Sequence, residues 1–293
     1  LINIGEIKSS GVELSLNYNV IKKSDFNYNI SFTWTHNLKN TLVSLSGIYN
    51  GTSLMYGNNV SGPGYREFGT LGSPGGSSLP IVRSEEGKPI GQLVAYKFKE
   101  IDNNGNLILE DINTDGYIDS RDRTVVGNGL PESLLSFGHI LNYKNWDLNI
   151  FFRGVFGHDL ISNYRVLFEA PQFISYYNLP KTTAKMRNPS TGTLLNNYGG
   201  TFTDRNIENA SYISLDNISL GYNFRLSESS PFSKIRIYLG GNNLFYITEY
   251  KGSDPNPRYA DGEQNNNPLI PGVDRRNTWP RTRSVTFGVN VVF

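Results

Sequence analysis

The chain has 293 residues, with 27 Lys and Arg against 26 Asp and Glu, 38% hydrophobic residues, 30 Gly, 18 Tyr, 16 Phe and no Cys. A net charge of +1 argues against an electrostatic nucleic-acid binder, and the lack of Cys excludes disulfides and thiolate metal sites. No run of 18 apolar residues exists, so no transmembrane helix is predicted, while an aromatic-rich, Gly-rich composition points to β-architecture.

The chain opens Leu-Ile-Asn-Ile-Gly, without a starting Met or a basic leader, which predicts a piece of a longer protein. Val12, Leu14, Leu16, Tyr18 and Val20 alternate with Glu13, Ser15, Asn17 and Asn19. After Lys22-Lys23-Ser24, Phe26, Tyr28, Ile30, Phe32 and Trp34 alternate with Asn27, Asn29, Ser31, Thr33 and Thr35. Strand side chains alternate with period two, so this is a hairpin with one apolar and one polar face. Tyr and Trp near the strand ends suit an interfacial girdle, and the Asn/Ser/Thr face suits a hydrated lumen.

Residues 37–133 lack this pattern. Gly62-Pro63-Gly64 and the run from Gly72 to Ser78 are loop chemistry. Leu93–Lys99 and Leu107–Leu109 read as a hairpin about Asn103-Asn104-Gly105. Leu135, Phe137, Leu141 and Tyr143 begin the next alternating run, with His139 between. Beyond Lys144-Asn145, Trp146, Leu148, Ile150 and Phe152 oppose Asp147, Asn149 and Arg153. Residues 157–210 are irregular. In Tyr212–Phe224, Ile218, Leu220, Tyr222 and Phe224 are in phase, while Ile213 and Leu215 are not. That break predicts a bulge or a rim extension. Ile235, Ile237 and Leu239 open a strand running to Phe245. The last ten residues, Ser284–Phe293, alternate again.

Seven spanning strands are thus predicted, at 11–21, 25–36, 134–143, 146–156, 211–226, 234–245 and 284–293. Each alone also fits a half-buried strand of a soluble sandwich. The links decide: 22–24, 144–145 and 227–233 are short, whereas 37–133, 157–210 and 246–283 are long. Short turns at one end and long loops at the other are the habit of outer-membrane barrels. Seven is odd, and single-chain bacterial barrels normally have an even number of strands, so a larger barrel is expected.

Several stretches, in order along essentially the whole chain, resemble the SusC/RagA-like TonB-dependent transporters of Bacteroidetes. They are Gly5-Glu6-Ile7 with Gly11-Val12-Glu13-Leu14, and Tyr212–Phe224 with its Leu-Gly-Tyr-Asn-Phe ending. Asn242-Asn243-Leu244-Phe245 with Tyr250–Pro255, and Pro280–Ser284 with Phe287–Phe293, complete the set. Trp279 stands where the family more often has Tyr. The resemblance implies an all-β fold: the C-terminal part, residues 1–293, of a transmembrane antiparallel barrel of 22 strands in total. The loops would be extracellular, and the plug and TonB-contacting segment would lie elsewhere. It implies import of an oligosaccharide or peptide across the outer membrane with a SusD-like lipoprotein, driven by TonB. Phe293 would also serve as an assembly signal. The alternative is a surface β-protein for adhesion or structure, stiffened by a calcium loop.

That loop is the one constellation with site chemistry. Asp111, Asn113, Asp115, Asp119 and Asp122 fall at loop positions 1, 3, 5, 9 and 12. Gly116 stands at 6, and Tyr117 at 7 offers its carbonyl. This is the spacing of a calcium loop, though position 12 is Asp rather than Glu. The same residues could simply bond the local backbone as a polar turn. A bound ion would stiffen an extracellular loop, with no catalytic part. No catalytic set is predicted: His36, His139 and His158 are scattered, and no nucleophile stands with them. Glu85-Glu86 read as a solvated turn; Asp254, Asp261, Glu263 and Asp274 could contact a partner or sugar, the preferred reading being a solvated loop. Tyr164, Phe168, Phe173, Tyr176, Tyr177 and Tyr198 could stack on sugars or, the preferred reading, pack against the lipoprotein.

Overall fold

The computed structural model describes residues 5–44, 48–49, 52–53, 65–71, 79–104, 106–195, 202–257, 270–275 and 279–293. The runs at 62–64 and 72–78, and Gly105, Tyr198, Asp261 and Glu263, lie outside them. Seven long strands form one open antiparallel sheet in chain order: β1 Glu6–Lys22, β2 Phe26–Ser44, β3 Ser133–Tyr143, β4 Trp146–Phe156, β5 Tyr212–Asn223, β6 Lys234–Thr248 and β7 Ser284–Val292. Every neighbour in sequence is a neighbour in the sheet, as a meander of hairpins requires.

The register lines the alternating residues into continuous rows. Tyr18, Ile30, His139, Ile150 and Ile218 are successive partners across β1 to β5. Next toward the short turns run Tyr28, Leu141, Leu148, Leu220, Leu239 and Phe287. At the turn end stand Phe26, Tyr143, Trp146 and Tyr222. Phe26 meets Tyr143 edge-on at 5.9 Å, and Trp146 meets Tyr222 at 4.8 Å. This is an aromatic belt along one rim. Eight residues separate Phe26 from Trp34. At about 3.4 Å per residue and a tilt of about 40°, that spans roughly 21 Å, close to the apolar height of an outer-membrane barrel. Among the described residues no second sheet covers this face, and Leu14, Phe137, Leu239 and Phe287 are exposed on it. A soluble sandwich would bury them.

Two expectations shift. Strands β1 and β2 run further than predicted, to Glu6 and Ser44, because Glu6–Ser10 stay paired with Lys39–Ser44 through bulges after the alternation has faded. The predicted strand 93–99 is divided between two sheets. Gln92–Ala95 pairs with Thr124–Asn128, while Phe98–Ile101 forms the expected hairpin with Leu107–Leu109. Between them Tyr96 bridges to Thr203, and the Phe98 amide donates to Asp204 Oδ1, so a neighbouring loop bends the chain. His139 falls in phase with Phe137 and Leu141, as its place in the alternating run implies. It sits within the apolar band, where Tyr28 Oη lies 2.8 Å from Nδ1 and supplies its polar partner.

The largest buried core is not in the sheet. It lies in the long loops beyond it, where Leu71, Ile81, Val82, Leu93 and Ala95 meet Ile161, Val166 and Phe202, then Ile270 and Val273. All three loops contribute, through a four-stranded sheet (Tyr65–Phe68, Val82–Glu85, Gln92–Ala95, Thr124–Asn128) and a three-stranded one (Asp159–Ser162, Ile207–Asn209, Val273–Asp274). Burying each large side chain contributes about 1.5–3 kcal/mol, so the loops form a packed body. Backbones touch where Gly129 meets Gly272: a Cβ on Gly129 would lie 2.7 Å from the Gly272 backbone.

The two faces make opposite demands on a charge. Ile150→Arg, at the middle of the apolar band, is expected to cost about 2–4 kcal/mol when the full receptor folds into lipid vesicles. Asn149→Arg, one residue along on the polar face, should cost under about 1 kcal/mol. Equal effects in denaturant titration would show that neither face meets lipid.

Candidate functional site

The face opposite the apolar band is lined mainly by Asn, Ser, Thr and Gly, with Ile140 and Phe151 set among them. Partner rows run Asn17, Ser31, Gly138, Phe151, Asn217, Asn242, Ser284 and Asn19, Asn29, Ile140, Asn149, Ser219, Gly240, Thr286. Their side chains bond across strands. Asn29 Nδ2 donates to Asn19 Oδ1 at 2.7 Å, Asn217 Nδ2 to Asn242 Oδ1 at 2.8 Å, and Asn242 Nδ2 to Ser284 Oγ at 3.2 Å. A wall of neutral donors and acceptors offers weak, interchangeable hydrogen bonds to a polar solute.

Two ion pairs are set into it. Arg236 holds Asp147 at 2.5 Å, with Asn223 Nδ2 donating to the same carboxylate at 2.9 Å. The guanidinium can lie flat because residue 221 is Gly: a Cβ there would come within 2.4 Å of it. Nearer the loops Arg153 holds Asp216 at 2.8 Å, and Ser214 Oγ donates to Asp216 at 2.6 Å. Asp216 sits at the predicted bulge, where the β5–β6 register shifts between Leu215 and Asn217. Sequence reading placed Arg153 on the polar face but missed its partner. The signal was a carboxylate standing at the break in phase.

At the mouth the third long loop folds over this wall. Tyr212, 1% exposed, packs edge-on against Tyr246 at 5.3 Å, with the Arg153 guanidinium 5.8 Å from its ring centre. His158 packs against Tyr212 and faces the Pro255 carbonyl at 3.4 Å; burial pushes its pKa down. Asp254 accepts from the amides of Asn256 and Arg281. Tyr250 Oη donates to Asp274 at 2.6 Å in the interior. Burial, with Asp254 nearby, raises Asp274 to about 6, against the opposing effect of the tyrosine bond. Asp254 and Asp274 were expected to be solvated; they are 2% and 5% exposed. No local pattern marks them as buried: Asp274 is covered in the strand that pairs with Asp159–Ser162, and Asp254 by the turn that brings it to the Asn256 and Arg281 amides.

The six predicted calcium-loop residues come together as one compact turn. Asp111 accepts from the amides of Asp115 and Gly116, Asn113 Oδ1 from Asp115, and Asp115 Oδ1 from Tyr117. Thr114 and Gly116 take positive φ, 57° and 86°, to make this possible. Asp119 caps the short 3-10 turn Ser120–Asp122. Asp122, fully buried, accepts from the amides of Ile112, Asn113 and Asp119, which hold its pKa down. Arg121 bridges Asp115 at 2.6 Å and Asp119 at 2.7 Å. As the side chains stand, no three His, Asp or Glu among the described residues converge on one point.

The predicted aromatic loop residues cluster on one another. Tyr164 meets Phe168 at 4.7 Å, Phe168 meets Tyr177 at 5.6 Å and Phe173 meets Tyr177 at 6.0 Å, while Tyr176 stands free in solvent at 78% exposure.

No family model matches the chain. It is 29% identical over 322 residues to TonB-dependent receptor P3 of Formosa agariphila, and 27% identical over 309 residues to TonB-dependent receptor SusC of Bacteroides thetaiotaomicron. Each alignment covers 99% of this chain but only 29% and 27% of those proteins, so the chain spans less than a third of their length. Among solved structures it is similar to the RagAB peptide transporter (TM-score 0.69, 20% identity) and to the RagAB peptide importer in its closed-closed state (TM-score 0.72, 19% identity). In both, 99% of this chain is covered against 30% of the other.

The Asp274 anchor is expected to respond to pH. Its folded pKa, about 6, lies above the ordinary 3.8. Its stabilising contribution is therefore complete below 3.8 and is lost as pH rises through 6. Hydrogen-exchange protection of the Ile161 amide, which donates to Gly272 O, should be higher at pH 5 than at pH 7.5 after correction for intrinsic rates. Asp274→Asn should flatten that difference.

Proposed function

Because the chain is a stretch of a SusC/RagA-like TonB-dependent receptor, a β-barrel protein of the outer membrane, we propose that it forms one side of a passage for import of an oligosaccharide or peptide. The observation that carries this is the continuous hydrated wall set back to back with an apolar band. It is a surface for a polar solute on a sheet built to stand in lipid. The wall's ion pairs are internally neutralised, Asp147 by Arg236 and Asp216 by Arg153. That suits a solute bound through many hydroxyl or amide groups rather than one of strong charge. In the complete receptor the chain would supply seven consecutive strands of the barrel, with the plug and TonB contact contributed elsewhere. A SusD-like lipoprotein would seat on the loop body, with the aromatic cluster about Tyr176 as a contact. The role is transport, and no residue is assigned a catalytic part.

The test is uptake by cells carrying the full receptor. Labelled oligosaccharides or oligopeptides should accumulate as one class, and accumulation should collapse on addition of an uncoupler. Uptake that is unchanged in receptor-deficient cells, or that survives the uncoupler, would overturn the proposal.

The acidic turn supports a second element of the reading. Carboxylate and amide oxygens interleaved on a tight turn suit a hard cation. Asp111, Asn113, Asp115 and Asp119, with the Tyr117 carbonyl, would hold calcium once Arg121 swings away. Asp122 would remain the buried staple to three amides. Calcium should slow proteolysis within 107–125, chelation should restore it, and Arg121→Gln should tighten calcium binding by titration calorimetry. Cleavage indifferent to calcium and chelator in both proteins would remove the metal from the reading.

A further inference from the structure

At the mouth of the wall, polar atoms that the transport reading does not use are buried without a partner. Tyr212 Oη, Tyr246 Oη and Arg281 Nε are shut off from solvent, and none has a hydrogen-bond partner among the described residues. Folded proteins leave few such atoms, because a buried donor with no acceptor carries its full desolvation cost. Three in one place point to a ligand.

The register and the ring contacts set them together. Tyr212 on β5 is paired with Val155 and with Thr248 on β6. Two residues along, Ser214 is paired with Arg153 and with Tyr246. Tyr212 and Tyr246 therefore share the polar face with Arg153, and their rings meet edge-on at 5.3 Å. Arg281, three residues before β7, lies within electrostatic reach of both phenols. Tyr212 is buried, whereas Tyr246 and Arg281 are half-buried, so the group borders the surface of the wall.

The neighbouring charges are already engaged. Asp216 is held by Arg153 and accepts from Ser214 Oγ. Asp254 accepts the amides of Asn256 on Oδ1 and of Arg281 on Oδ2. The Arg281 guanidinium has no carboxylate within ion-pair distance among the described residues.

Two phenol donors beside a cation with no counter-ion suit an oxyanion. A carboxylate offers only acceptor lone pairs, and hydrogen bonds to it are about twice as strong as those between neutral groups. A neutral carbonyl could accept from the phenols but would leave Arg281 without a counter-ion. A phosphate would bring up to about two charges against one. We propose that Tyr212, Tyr246 and Arg281 form a subsite for a carboxylate of the imported solute. A peptide carries that group at its C-terminus, and an acidic oligosaccharide carries it on uronic units. The neutral wall binds the rest of the solute through its hydroxyls or amides, and this one point binds it through charge.

The proposal rests on the import reading, and the experiment separates the two. Cells carrying the full receptor are offered two labelled pairs: oligopeptides with a free or an amidated C-terminus, and uronic-acid oligosaccharides or their carboxyl-reduced counterparts. In one pair the wild type should take up the acid form about ten-fold better than its neutral counterpart. The pair that responds identifies the source of the carboxylate. Arg281→Gln should remove the preference, Arg281→Lys should keep most of it, and Tyr246→Phe should lower it about three-fold. Tyr246→Phe should not lower the melting temperature of the purified receptor, because the lost hydroxyl has no partner inside the fold. A fall of several degrees would show a hydroxyl bonded within the fold and overturns the subsite. Acid forms taken up no better than neutral ones in both pairs, or a preference that survives Arg281→Gln, overturns the subsite alone. Receptor-dependent uptake of none of the four solutes overturns the import reading and the subsite together.

Discussion

A backbone that crosses lipid must satisfy its own hydrogen bonds, since the bilayer core offers none. The arrangement of this chain depends on that constraint. Seven strands pair in sequence order from Glu6 to Val292, and each inner strand is bonded on both sides. The pairing fixes the register, and the register sends alternate residues to opposite faces. Ile30, His139, Ile150 and Ile218 could not line one side while Asn29, Asn149 and Ser219 line the other under a one-residue slip. The separation of the apolar face from the polar one thus follows from a hydrogen-bonding requirement. His139 illustrates its strength: a polar ring is tolerated in the apolar band because Tyr28 satisfies it locally.

The sheet has little interior of its own, and the interior has moved to the loops. Leu71, Leu93, Ile161, Phe202 and Val273 come from three separate excursions and make one core beyond the strands. Polar ties hold it as well. Glu67 takes both Arg83 and Arg123, Arg165 takes Glu169 and Glu208, and the Lys251 amide reaches Glu208. Such pairs, cut off from water, stabilise only when every partner is present. The loop body is therefore a cooperative unit, and Tyr250–Asp274 fastens its last excursion over the mouth of the wall.

Charge is distributed by function. On the wall it is paired and neutral, and in the loop body it is buried and paired. The acidic turn at 111–122 sits between these cases. Its carboxylates are occupied by its own amides and by Arg121, whose pKa the Asp119 hydrogen bond raises. The guanidinium already supplies positive charge between Asp115 and Asp119, so a metal would compete with a group the sequence places two residues from one ligand.

The amino-acid sequence by itself determined the spanning strands, their faces and the alternation of short and long links, because period-two patterning and turn chemistry are local properties. Trp146–Phe156 was legible to the residue, and the bulge near Asp216 was announced by the phase break at Leu215. The acidic turn was legible as a spacing. The tertiary structure alone decided that the loops share a core, that residues 92–101 divide between two sheets, that Asp216 answers Arg153 from 63 positions away, and that Asp254 and Asp274 are buried. These depend on contacts between segments far apart in sequence, where no local period records the partner.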